Sequence, residues 1–113
     1  MFRLDPTAKV WLIVGKTDMR KAINGLSGIV THQLALDPMS GHYFVFSGRQ
    51  RSTLKVLYWD KNGYSLWYKR LEEDRFRWPR SSEEATAITG EQLQWLLAGL
   101  DWDRAHPVRR YSA

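Results

Sequence analysis

Residues 43–70 read YFVFSGRQRSTLKVLYWDKNGYSLWYKR, and the fold class is decided in this stretch. Three runs rich in β-branched and aromatic residues, Tyr43 to Ser47, Thr53 to Trp59 and Tyr64 to Leu71, follow one another with alternating or unbroken apolar character. The connectors Gly48 to Ser52 and Asp60-Lys61-Asn62-Gly63 are too short for a crossover, and Asn-Gly is a strong hairpin signal. After Glu72-Glu73-Asp74 a fourth run, Arg75 to Trp78, stops at Pro79, which has no N–H for a ladder. The pattern predicts a β-meander of four successive antiparallel strands.

Upstream, Val10-Trp11-Leu12-Ile13-Val14 is an unbroken apolar run ending at Gly15, as in a strand buried on both faces. Thr17 then reads as a helix N-cap followed by Asp18, with Met19, Ile23, Leu26, Val30 and Leu34 at helical spacing. Gly25 and Gly28 weaken this helix by about 1 kcal/mol each relative to alanine. Asp37, Pro38, Ser40 and Gly41 turn the chain. Downstream, Ser81 to Thr86 reads as a polar connection, with Ala87-Ile88 able to add a short pairing. Thr89 and Gln92 form a capping-box pattern, ahead of a stripe of Leu93, Leu96, Leu97 and Leu100 that ends at Gly99. The expected fold is α+β: an antiparallel β-meander of about four or five strands packed against two helices. One domain is expected over residues 1–113, with a core at about 10–102 and a tail, 103–113, whose last residues are expected to be mobile.

Composition narrows the function classes. With 43% hydrophobic and 26% charged residues in 113, the chain is a globular sequence rather than a disordered one. The absence of cysteine excludes disulfides and thiolate zinc sites, and together with the lack of a signal pattern leads to the expectation of a cytoplasmic protein. No apolar run approaches the roughly 20 residues of a membrane span. The net charge is +5 and the pI near 9.7. From His42 to Arg80 there are nine bases against four acids, while the rest of the chain balances, so the whole excess lies in this central third. Such a balance suits a polyanion, because phosphate contacts release counterions.

The carboxylates fall in separate turns and connectors, with no spacing suited to a shared metal pair. His32, His42 and His106 are isolated from one another, and no glycine-rich phosphate loop occurs. No catalytic residue, metal or other cofactor is therefore expected. The candidates are DNA-binding ones. Lys55, Lys69, Arg70, Arg75 and Arg77 alternate with aromatic residues along the predicted strands. Arg49 and Arg51 stand in a loop where nothing asks them to pack. Lys16, Arg20 and Lys21 gather at the start of the first predicted helix, beside an opposing Asp18. Each set also has a plainer reading, as the solvated face of a sheet, a surface loop or a basic helical turn.

Three strings, VWLIVGKTDMRKAINGLSGIV, DPMSGHYFVFSGRQRSTLKVLYWDKNGYSLWYKRLEEDRFRWP and ITGEQLQWLLAGLDW, resemble the TnpB accessory protein of insertion sequence 66 type elements. The resemblance runs from about Val10 to Trp102. Its most specific pieces are Thr17 to Lys21, Phe44 to Phe46, Lys55 to Asp60 and Tyr68 to Leu71. It implies a role in transposition beside a DDE-type transposase and another element-encoded accessory subunit, with no established catalytic activity for this subunit. It supplies no active-site residues. The similarly named RNA-guided nuclease of other elements is much longer and carries acidic catalytic residues not found here.

The expected function is accordingly that of a non-catalytic accessory factor of DNA transposition that binds DNA through a basic sheet and loop surface and assists the transposase. The alternative is a protein–protein adaptor of the transposase complex that never contacts DNA and is anchored by aromatic residues such as Tyr64, Tyr68 or Trp102. Homo-oligomerisation is compatible with both.

Overall fold

In the computed structural model, which describes residues 4–80 and 82–99, a five-stranded sheet carries a helix on each face. The elements in chain order are β1 (Val10–Ile13), α1 (Ile23–Gly28) running on into a π-helical turn (Ile29–Gln33), β2 (Tyr43–Ser47), β3 (Thr53–Asp60), β4 (Gly63–Arg70), β5 (Ala85–Ile88) and α2 (Gly90–Leu97). The spatial order is β4-β3-β2-β1-β5. The α+β class, the strand number and the two helices agree with the sequence reading. Leu100, Trp102 and the tail lie outside the described residues.

The hairpins appear as expected, Phe44 opposite Leu57 and Val56 opposite Trp67 in antiparallel registers. The meander, however, covers only β2 to β4. β1 pairs parallel to β2, Val10 beside Tyr43, because α1 carries the chain back across one face between them. The sheet is therefore mixed.

β1 and β2, inside the sheet, are covered on both faces, which is why they read as unbroken apolar runs; all five residues of β2 are buried. On one face Val10, Leu12, Tyr43, Val45, Leu54 and Val56 pack with Leu93, Leu96 and Leu97 of α2. On the other, Ile13, Phe44, Phe46 and Leu57 pack with Leu26 and Val30 of α1 and its π turn. The reciprocal capping box at α2 is present, with Gln92 N–H on Thr89 Oγ1 (3.0 Å) and Thr89 N–H on Gln92 Oε1 (2.9 Å). Gly99, at φ +80°, donates to the Leu96 carbonyl and ends the helix.

Two expectations are corrected. The first helix begins at Ile23, with Ala22 rather than Thr17 as its N-cap and no side-chain cap. Thr17 is buried, and its N–H donates to the Ser47 carbonyl at 2.8 Å. Asp18 turns back on Arg20, and the Lys55 ammonium takes the carbonyls of Met19 and Lys21, both at 2.8 Å. Those carbonyls are acceptors a helix through this segment would need. The second correction is that residues 75–78 form no strand. They cross the end of the sheet, held by the Phe76 N–H on the Arg51 carbonyl (2.7 Å) and the Trp78 indole N–H on the Ile13 carbonyl (2.9 Å). Phe76 is buried while Arg75 and Arg77 are exposed, so packing across strand ends reproduces a period of two without a ladder. The fifth strand is instead β5, antiparallel to β1 with Ala87 opposite Trp11. It contains the short pairing expected at Ala87-Ile88 and begins two residues earlier.

Candidate nucleic-acid interface

The registers bring one set of strand ends together: the last residues of β1, β2 and β4 and the first of β3 and β5. Three connections cover this end of the sheet: 14–22, 48–52 and 71–84. Their mutual approach is close. A Cβ on the buried Gly48 would lie 2.9 Å from Met19 Cγ, so a larger residue would have to displace the Met19 side chain where the first two connections meet.

Charge is distributed unequally between the two ends. The three connections, with Arg70 and Lys55 at the adjoining strand ends, hold ten bases and six acids. The opposite end has Lys9 and Lys61 against Asp5, Asp37, Asp60 and Glu91. The excess located in the sequence at Arg49 to Arg80 thus becomes a basic end of the molecule, joined there by Lys16, Arg20 and Lys21 from a distant part of the chain.

Seven of the ten candidate residues, Lys16, Arg20, Lys21, Arg49, Arg70, Arg75 and Arg77, are exposed at this end. Arg80, counted in the basic excess of the central third but not a candidate, is exposed there too. Arg20 and Arg70 are among the exposed bases held in ion pairs. Arg20 donates from Nε and Nη2 to Asp18 at 3.0 and 2.8 Å, and Arg70 from Nε to Glu72 at 2.9 Å. Hydrogen bonds from Arg20 hold the Asp18 carboxyl well below the usual carboxylate range. Exposed pairs of this kind add little stability and leave their arginines accessible, the Arg20 side chain at 91%.

The other three candidates are engaged by the fold. Arg51 does pack, contrary to expectation. Its Nη2 donates to the Val14 carbonyl at 2.8 Å, its Nη1 reaches the Ser47 and Gly48 carbonyls at 3.3 and 3.4 Å, and its guanidinium lies 5.2 Å from the Trp78 ring centroid. Burial lowers its pKa, from a value so high that it stays charged. Lys55 ties the 15–22 segment to the sheet, as described. Lys69, on the α2 face, donates to the Leu97 carbonyl at 2.8 Å, a favourable place for a cation because the last carbonyls of a helix carry its negative pole. The Lys55 contacts should be measurable: Lys55→Met is expected to lower stability by about 2 kcal/mol, the scale of one part-buried charge-assisted hydrogen bond with a smaller share from the exposed one. Faster hydrogen exchange at the amides of residues 17–21 would accompany it, and unchanged exchange there would contradict the assigned role.

The aromatic residues divide differently from the bases. Phe76 is buried and Trp78 half-buried beneath Arg51. Tyr68, on the face of β4 that it shares with Arg70, is 51% exposed. The basic end is therefore mainly a rim of cations rather than a stack of rings. Among the described residues no group of three or more histidine, aspartate or glutamate side chains is placed to hold a metal ion, and no helix is long and apolar enough to cross a membrane.

Comparison with known proteins adds a family. A family model described as IS66 Orf2 like protein matches residues 8–107. Two proteins of Sinorhizobium fredii, y4hO and y4jC, both described as uncharacterised, are similar to the chain. The first is 44% identical over 99 residues, covering 88% of this chain and 84% of its own length. The second is 35% identical over 104 residues, covering 90% and 89%. No solved structure matches.

Proposed function

Since this chain belongs to the IS66 Orf2-like family, which is associated with transposition, we propose that it is a non-catalytic accessory factor that binds duplex DNA through the basic end of its sheet and assists the transposase there. The observation that carries the reading is the convergence of bases from three separate connections on one end of the sheet. Five strands at about 4.8 Å spacing make that end about 19 Å wide. A duplex presents about eleven phosphates over such a length, at one per about 1.7 Å of axis. The rim therefore has ample charge to meet.

Because the cations are on exposed side chains while Phe76 is buried and Trp78 half-buried, binding is to the phosphate backbone, with little readout of base sequence. The expected mechanism is electrostatic. If about six of the exposed bases meet phosphates, the slope of log affinity against log salt is about −5, and affinity falls about a thousandfold from 50 to 200 mM salt. Fluorescence anisotropy with a short duplex across that series measures it. A flat response, or no binding at 50 mM, would leave the adaptor reading, for which Tyr68 is the best-exposed aromatic among the described residues.

A further inference from the structure

A cleft of about 420 Å³ opens between the π turn that continues α1 and the basic end of the sheet. Its volume is that of a small-molecule site and much larger than a lone phosphate requires. Its lining is divided by chemistry. Ile13, Ile29 and Leu34 give it an apolar part, and the exposed residues Lys16 and Lys21 a cationic one. Asp18 also lines it, but both its oxygens are taken by Arg20, which offsets its charge. His32 and Gln33 line it from the π turn, a helix form often found at functional sites.

We propose that this cleft takes one nucleotide bearing a phosphate monoester, with Lys16 and Lys21 on the phosphate and the base against Ile13, Ile29 and Leu34. With Asp18 paired to Arg20, the two lysines outweigh the single remaining carboxylate, Glu84, and a part-apolar lining with that cationic excess favours a ligand with a planar apolar body and a negative charge over inorganic phosphate or a neutral molecule. Gln33 and the carboxylate of Glu84, which also lines the cleft, supply acceptors for a base amine. The nucleotide is either free or the phosphorylated end of a DNA strand held along the basic rim; the second form rests on the DNA-binding role proposed above.

Gly28 provides the means of testing this without disturbing the core. It lines the cleft, and a Cβ placed on it would meet only His32 Cδ2, at 4.0 Å. Gly28→Leu therefore puts a side chain into the cleft while improving helix propensity, and the variant should unfold at the wild-type temperature or above. Binding of the full chain would be compared for a blunt hairpin duplex, the same duplex with one unpaired 5′-phosphorylated nucleotide, and that overhang without its phosphate. Free deoxynucleoside monophosphates would be titrated alongside, followed by backbone amide shifts. The phosphorylated overhang should bind at least tenfold tighter than the other two duplexes. Gly28→Leu should abolish that gain and leave blunt-duplex affinity within twofold. If the overhang gives no gain but monophosphates shift the amides of Lys16 and Gly28, the cleft is a free-nucleotide site. If neither ligand responds, or Gly28→Leu retains the gain, the proposal is wrong. Failure of every duplex to bind would overturn the DNA-binding role instead, and the monophosphate titration would still decide the cleft.

Discussion

Replacing Arg51 by alanine is expected to lower the free energy of unfolding by about 3 kcal/mol and the melting temperature by about 10 °C or more. The side chain joins three parts of the basic end, through the Val14 carbonyl after β1, the Ser47 and Gly48 carbonyls after β2, and the face of Trp78 in the 71–84 connection. A charge-assisted hydrogen bond to a part-buried carbonyl contributes about 1.5–3 kcal/mol, and a partly desolvated cation–π contact about 1 kcal/mol more. Arg51→Lys should recover only part of the loss, since one ammonium on a different stem cannot reproduce the planar fork that spans these carbonyls. The backbone supplies a control. Arg51 sits at φ +59°, a conformation that is unfavourable by about 1 kcal/mol for any residue with a Cβ. Arg51→Gly removes the same contacts and that strain together, so it should be less damaging than Arg51→Ala. Thermal unfolding of the three variants tests the order. Equal stability of Arg51→Ala and wild type would mean that the guanidinium does not hold this end together.

Charge reversal at Arg49 and Arg75 should have the largest effect on DNA. Both side chains are exposed, and they enter the basic end from different connections. The double variant Arg49→Glu/Arg75→Glu removes two cations and adds two anions, and is expected to reduce duplex affinity at 50 mM salt at least a hundredfold. The salt slope should become shallower by about 2, at about 0.9 per lost phosphate contact. Stability should change by no more than about 0.5 kcal/mol for each site, as at other exposed positions. Reversing Lys9 and Lys61 at the opposite end makes the same change in net charge and should alter affinity far less. Equal losses from the two double variants would mean that net charge, and not its placement, governs binding.

The sequence was legible where a local rule and the tertiary structure agree. Thr89 and Gln92 marked the start of α2 because a capping box is satisfied within four residues. Tyr43 to Ser47 read as a strand because both its faces are covered. The parallel pairing of β1 and β2 was not legible, since an apolar run of four or five residues does not say which neighbour it takes. Thr17 looked like a cap and Arg75 to Trp78 like a strand for a common reason: the partners that override the local pattern, Ser47, Lys55 and Arg51, are far away in the chain.

The same distinction applies to the candidate interface. Charge counting found the Arg49 to Arg80 excess, but could not separate Arg49, whose side chain is exposed, from Arg51, whose side chain is spent on backbone carbonyls. Nor could it show Lys55 and Lys69 reaching the carbonyls of Met19, Lys21 and Leu97. The grouping of Lys16 and Lys21 with the central arginines depends on sheet order, which brings the end of β1 beside the end of β2.

Backbone and arginine side-chain NMR shifts, followed while a short duplex is titrated into the full chain at 50 mM salt, test the central claim most directly. Perturbations are expected at Lys16, Lys21, Arg49, Arg75, Arg77 and Arg80, with Lys9 and Lys61 unmoved. Perturbations centred on Lys9 and Lys61, or none at saturating DNA, would contradict it.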